Sequence, residues 1–129
     1  MGKQFVITPD IMLKVIYDLW EDGEDKYFFD YDSYEIRSKD EVTEGSYVIP
    51  LVHVSEVAVM KEFIVSMNDR RLIKVFKPLS DKETWSRFWV YFDDDGMLSS
   101  SWHEYEEKYR KKLIIDWCGN NGISYRMAD

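Results

Sequence analysis

Residues 80–92, Ser80-Asp-Lys-Glu-Thr-Trp-Ser-Arg-Phe-Trp-Val-Tyr-Phe92, decide the fold class of this chain. Ser80 followed three residues later by Glu83 is a capping box, in which side chain and backbone satisfy each other's free groups at a helix start. Trp85, Phe88, Trp89 and Phe92 then recur at i, i+3, i+4 and i+7. That spacing puts four large rings on one helical face, which must be buried against something equally apolar.

Reading outward toward the C-terminus, the three acids of DDDG at 93–96 oppose the helix dipole and are expected to form a solvated terminus that shortens this helix. A last helix is expected from near Ser100 or Ser101. It carries Trp102, Tyr105, Tyr109, Leu113, Ile114 and Trp117 to Asn120-Asn121-Gly122, where the glycine suits the left-handed C-cap conformation. Ile123 and Tyr125 return as a short segment packed on the body.

Reading outward toward the N-terminus, Ser55 opens a helix with Val57, Met60, Phe63, Ile64 and Met67 inward and Glu56, Lys61 and Glu62 outward. A short helix follows, with Arg70, Arg71, Lys74 and Lys77 on one side and Leu72, Ile73, Val75 and Phe76 on the other, stopped by Pro78. Tyr47–Val54, YVIPLVHV, is β-branched, but Pro50 cannot donate to a ladder, so it is an edge strand or a bent one. KYFFDYDSYEIRS reads as a hairpin, with runs at Tyr27–Asp30 and Tyr34–Ile36 around an Asp-Ser turn. At the start, Thr8 is an N-cap, Pro9 the first helical residue and Asp10 a first-turn acid. Ile11, Met12, Val15, Ile16 and Leu19 continue that helix until Gly23. The sum is an α+β chain: an N-terminal helix and a short β-hairpin or small antiparallel sheet, then a helical C-terminal part of three to four helices. Bulky rings from the later helices are expected to share one dry interior.

The 129 residues suit a single globular domain over 1–129, and 45% hydrophobic with 16% aromatic residues argues against disorder. Cys118 has no partner for an internal disulfide, and no apolar run reaches the ~18 residues of a membrane span. The N-terminus lacks the pattern of a secretion signal and Gly2 that of myristoylation, so a reducing cytoplasm is the expected compartment.

Net charge is −8, and its placement is uneven: residues 1–50 hold twelve acids against five bases, whereas the remainder holds thirteen against twelve. An acidic front repels phosphate backbones and favours a basic partner, or simply keeps the chain soluble. The candidate contact acids are Asp30, Asp32 and Glu35 of the hairpin. Arg70, Arg71 and Lys74, with the Lys108–Lys112 run, form the competing candidate surface for nucleic acid, although Lys108 follows Glu104 by one helical turn and has a ready partner there.

No chemistry-bearing motif emerges. An EF-hand loop centred on Gly96 would need ligands at Tyr91 and Trp102, and one centred on Gly23 at Trp20 and Phe29, so both fail. His103 and Cys118 lie about 22 Å apart along one helix at ~1.5 Å per residue, which prevents a nucleophile–base pair. Cys118 reads as a small buried apolar residue. No catalytic residue, metal site or cofactor is assigned. Three function classes follow: a non-enzymatic interaction or regulatory protein with a basic protein partner, which leads; a nucleic-acid-associated protein; and a carboxylate-based enzyme with a transient metal.

The stretch from Leu51 to Tyr125, with LVHVSEVAVMKEFI, RRLIKVFK, WHEY and WCGNNGISY, resembles the uncharacterised protein family 0158 of bacteria. The matching positions are Phe76, Trp102, Tyr105, Trp117, Asn121, Gly122 and Ile123, together with the hairpin FFDYDSYEI, where Tyr34 stands in place of a usual glycine. The resemblance implies a small bacterial cytoplasmic protein and no activity, substrate or cofactor.

Overall fold

The computed structural model describes residues 2–92 and 96–128, and only the backbone of 96–99. The acidic run 93–95, expected to form a solvated terminus and shorten a helix, lies outside the described residues. In chain order the elements are β1 (Phe5–Ile7), α1 (Pro9–Leu13), β2 (Ile16–Tyr17), β3 (Tyr27–Asp30), β4 (Glu35–Ser38), β5 (Val48–Pro50), β6 (Val54–Ser55), α2 (Glu56–Ser66), α3 (Arg70–Phe76), α4 (Asp81–Phe92), α5 (Gly96–Asn120) and β7 (Tyr125–Met127). The class is α+β with a helical C-terminal part. Among the described residues no helix is long and apolar enough to cross a membrane.

The chain divides into two compact units. The first comprises Met1–Ile16, Gly23–His53 and Arg110–Asp129. Its hairpin forms as the sequence indicates: β3 pairs antiparallel with β4, Phe29 facing Ile36, and with β5, Phe29 facing Ile49. The order β4-β3-β5 makes the proline-ended strand an edge, where Pro50 is tolerated. Tyr34 takes φ 58, a left-handed conformation that glycine adopts freely and a tyrosine at some cost. Its side chain offsets that cost: the ring meets Phe29 edge-on at 5.0 Å, and its hydroxyl accepts from Ser124 N–H at 3.3 Å.

Two features of this unit differ from the sequence reading. The first helix keeps its Thr8 cap, which accepts from Ile11 N–H at 3.2 Å, but ends at Leu13 with no buried residue. Val15 and Ile16 are buried beyond it, so the apolar periodicity belonged partly to a strand. The segment preceding it is a strand: β1 pairs in parallel with β7, Phe5 with Tyr125 and Ile7 with Met127. Phe5, Ile7, Phe29, Ile114, Cys118 and Ile123 are all buried. Each large side chain taken out of water contributes about 1.5–3 kcal/mol against the entropy of ordering the chain.

The second unit comprises Tyr17–Asp22 and Val54–Tyr109. Ser55 caps α2 by accepting from Ala58 N–H, and Asp69 caps α3 by accepting from Arg71 and Leu72 N–H. The expected capping box of α4 is formed, with Glu83 accepting from Ser80 N–H at 3.1 Å and Ser80 from Glu83 N–H at 3.2 Å. Phe63 of α2, Phe88 and Phe92 of α4 and Trp102 of α5 form one aromatic cluster, with ring centroids 4.4–6.1 Å apart. Trp85 and Trp89, placed by periodicity on the same buried face, are half-buried at its margin instead. Helix α5 begins at Gly96, earlier than Ser100, and Gly122 beyond its end takes φ 65 as expected of the cap.

Candidate functional site

The first unit holds a groove of about 510 Å³ between β1 and the hairpin. Gln4, Phe5 and Val6 form one wall, Thr8, Asp10, Ile11 and Lys14 one end, and Tyr27 with Ser33, Tyr34, Glu35, Ile36, Ser38 and Glu41 the opposite wall. Each wall follows from local rules. Residues 27, 36 and 38 share a face of the sheet because side chains alternate along strands and Tyr27 is paired with Ser38. Helix α1 sits at the end because its Thr8 cap and Pro9 start it immediately after β1.

The rim of the groove is acidic. Asp10 pairs with Lys14 at 2.6 Å, and that ammonium also lies 5.1 Å from the centre of the Tyr27 ring. Glu41 closes a capping box with Ser38 at 2.9 Å, and the hydrogen bond from Ser38 N–H holds its carboxyl below the usual range. Glu35 is exposed, and among the described residues it makes no ion pair. Three carboxylates therefore face one lysine, which Asp10 already neutralises.

The hairpin acids singled out from the sequence separate in role. Glu35 and Asp32 are exposed, and the Asp32 carbonyl accepts from the Lys3 ammonium. Asp30 is turned inward at 5% exposure. Its carboxylate accepts from Asp32 N–H at 2.8 Å, Ser33 N–H at 3.3 Å and Arg37 Nε at 3.0 Å. The Asp32 amide, and then Ser33 and Arg37, hold its carboxyl below the ordinary aspartate value against the opposing effect of burial. Asp30 shapes the turn; it is not part of an outward acidic surface. Arg70, Arg71 and Lys74 are exposed on α3, in the second unit, with Lys74 in the last turn where a cation suits the dipole. Lys108 pairs with Glu104 at 2.9 Å, as its spacing indicates.

One group escaped sequence reasoning altogether. Glu56, expected outward, is half-buried at the first position of α2. Burial, then the charges of Glu106 and Asp18, push its carboxyl up to about 7, while the Trp85 indole N–H donates to it and opposes the rise. Trp20 meets Trp85 edge-on at 5.9 Å, with the Lys82 ammonium 5.4 Å from the Trp20 ring. Nothing in the sequence around Glu56 signals this, because Asp18, Trp85 and Glu106 come from distant segments. No group of three metal-ligating side chains is arranged to hold an ion among the described residues.

Cys118 is fully buried, and burial alone pushes its thiol up to about 11, so it stays protonated and unreactive at neutral pH. His53 pairs with Asp25 at 2.8 Å. No family model, no curated protein and no solved structure matches this chain.

Proposed function

We propose that this chain is a non-enzymatic interaction protein of the cytoplasm, and that the groove of its first unit receives a basic segment of a partner protein. One observation carries the reading: a groove of about 510 Å³ with apolar walls from Phe5, Val6, Tyr27 and Ile36 is rimmed by Asp10, Glu35 and Glu41. Apolar walls supply contact area, and the excess of carboxylates at the rim, with Glu35 making no ion pair among the described residues, selects a partner of opposite sign and speeds its encounter. The resemblance to family 0158 is compatible with this proposal and adds no activity to it.

The test is titration of the isotope-labelled protein with an acetylated, amidated octapeptide of alternating lysine and valine. Amide signals of Val6, Ile11, Tyr34 and Ile36 are expected to shift together. Glu35→Lys is expected to weaken binding about fivefold to tenfold, in line with ~1 kcal/mol for a reversed rim charge. Shifts scattered over both units, or an unaltered affinity in Glu35→Lys, would refute the assignment.

A further inference from the structure

We propose that the basic segment binds as an added β-strand, taking main-chain hydrogen bonds from Val6 on the open edge of β1. The inference rests on the reading of the groove above and deepens it by stating how the partner's backbone is held.

Strand parity fixes which way the backbone groups of β1 point. Phe5 N–H donates to the Ser124 carbonyl at 2.8 Å, and Ala128 N–H donates to the Ile7 carbonyl at 2.9 Å. Phe5 and Ile7 therefore turn their polar backbone groups toward β7. In a strand the next residue turns its own to the opposite side. Val6 thus directs its N–H and C=O away from β7, and the same residue lines the groove. Among the described residues β1 has β7 as its one strand partner, so this edge is open.

An open strand edge is a template for another extended chain, and the main-chain bonds supply affinity whatever the side chains are. Here the surroundings choose the side chains. Tyr27, Tyr34 and Ile36 belong to the opposite wall, against which apolar residues of one phase would rest, and Glu35 lies beside them to meet basic residues of the other. Alternation of apolar and basic residues is the pattern an added strand would show. The charge of the rim commits the occupant to a cationic segment rather than an acidic one.

The experiment uses the full chain and three octapeptides: alternating lysine and valine, the same peptide N-methylated on every lysine, and the same peptide N-methylated on every valine. In an added strand only one phase of N–H groups faces β1, so one methylated peptide is expected to lose at least tenfold in affinity while the other binds nearly as the parent. Val6 N–H exchange with solvent is expected to slow at least tenfold in the parent complex. Equal affinities for all three peptides, with the groove signals still shifting, would overturn strand addition and leave the groove reading intact. Failure of the parent peptide to move the groove signals would overturn both. Protection of Val6 in the peptide-free protein that grows with protein concentration would assign the edge to a second copy of this chain, and would overturn the proposal likewise.

Discussion

The Tyr31 hydroxyl donates to the main-chain carbonyl of Asn121 at 3.0 Å, a link across ninety positions of sequence between the hairpin turn and the end of α5. It ties the carbonyl of the residue that follows the last turn of that helix to the first unit's sheet. The Tyr31 ring also meets Phe29 edge-on at 5.1 Å, so removing the hydroxyl alone isolates the hydrogen bond. Tyr31→Phe is expected to cost about 0.5–1.5 kcal/mol in urea unfolding. An unchanged midpoint would mean that water replaces the bond without loss.

Asp30 predicts an acid dependence. Its carboxyl lies below the ordinary value in the folded chain, so the stability it contributes is complete above the unfolded value near 3.8 and is lost as pH falls through the lowered one. Asp30→Asn is therefore expected to be less stable than the parent at pH 7, with the gap closing as pH falls through the lowered value of this carboxyl. A gap constant from pH 7 to pH 2 would show that the charge is not what holds the turn.

Glu56 predicts the opposite sign. Its folded value of about 7 exceeds the ordinary 4.5, so stability from this group is full below pH 4.5 and is lost as pH rises through 7. Because the carboxyl is only half-buried, solvent screening reduces the effect, and Glu56→Gln is expected to gain about 1 kcal/mol over the parent at pH 8, shrinking toward pH 4.5. Tryptophan emission of the parent is expected to titrate with a midpoint near 7, since Trp85 hydrogen-bonds this carboxyl, and the variant is expected to lose that step. Identical profiles in parent and variant would assign the midpoint to another group.

The tryptophans divide by burial. Trp102 is 1% exposed inside the Phe63, Phe88 and Phe92 cluster, whereas Trp20 is 63% exposed. Trp102→Ala is expected to cost about 3–5 kcal/mol through lost transfer energy and the cavity left behind. Trp20→Ala, which loses an edge contact with Trp85 and the Lys82 ammonium over its ring, is expected to cost about 0.5–1.5 kcal/mol. Comparable losses in denaturant unfolding would contradict this division.

Cys118 offers a probe of opening. A protonated thiol with no exposure reacts only when the first unit opens, so labelling by a disulfide reagent at pH 8 is expected to be at least a hundredfold slower than in the urea-unfolded chain. Immediate labelling of the folded protein would contradict the burial.

Local chemistry was written plainly in the chain. Thr8, Ser55, Ser80 with Glu83, and Gly122 mark helix ends because a cap acts within one turn of the residue that supplies it. The hairpin at Tyr27–Ser38 was legible for a similar reason, its two strands being joined by a turn of a few residues. Of the groove, Glu35 had been singled out from the sequence as a contact acid, but the wall opposite it, Gln4 to Val6, had not.

What remained hidden depends on partners remote in sequence. Three residues, Phe5-Val6-Ile7, carry too little pattern to announce a strand, and their pairing with Tyr125–Met127 exists only once the chain has brought its two ends together. The same apolar spacing that suggested a long first helix served instead to bury Val15 and Ile16 after a break at Leu13, because tertiary burial outweighs a weak helical preference. Glu56 became a high-value carboxyl, and Asp30 a low-value one, through desolvation and hydrogen bonds that composition does not specify. Helix ends, turns and apolar faces follow from neighbours along the chain; strand edges, grooves and shifted acids follow from neighbours in space.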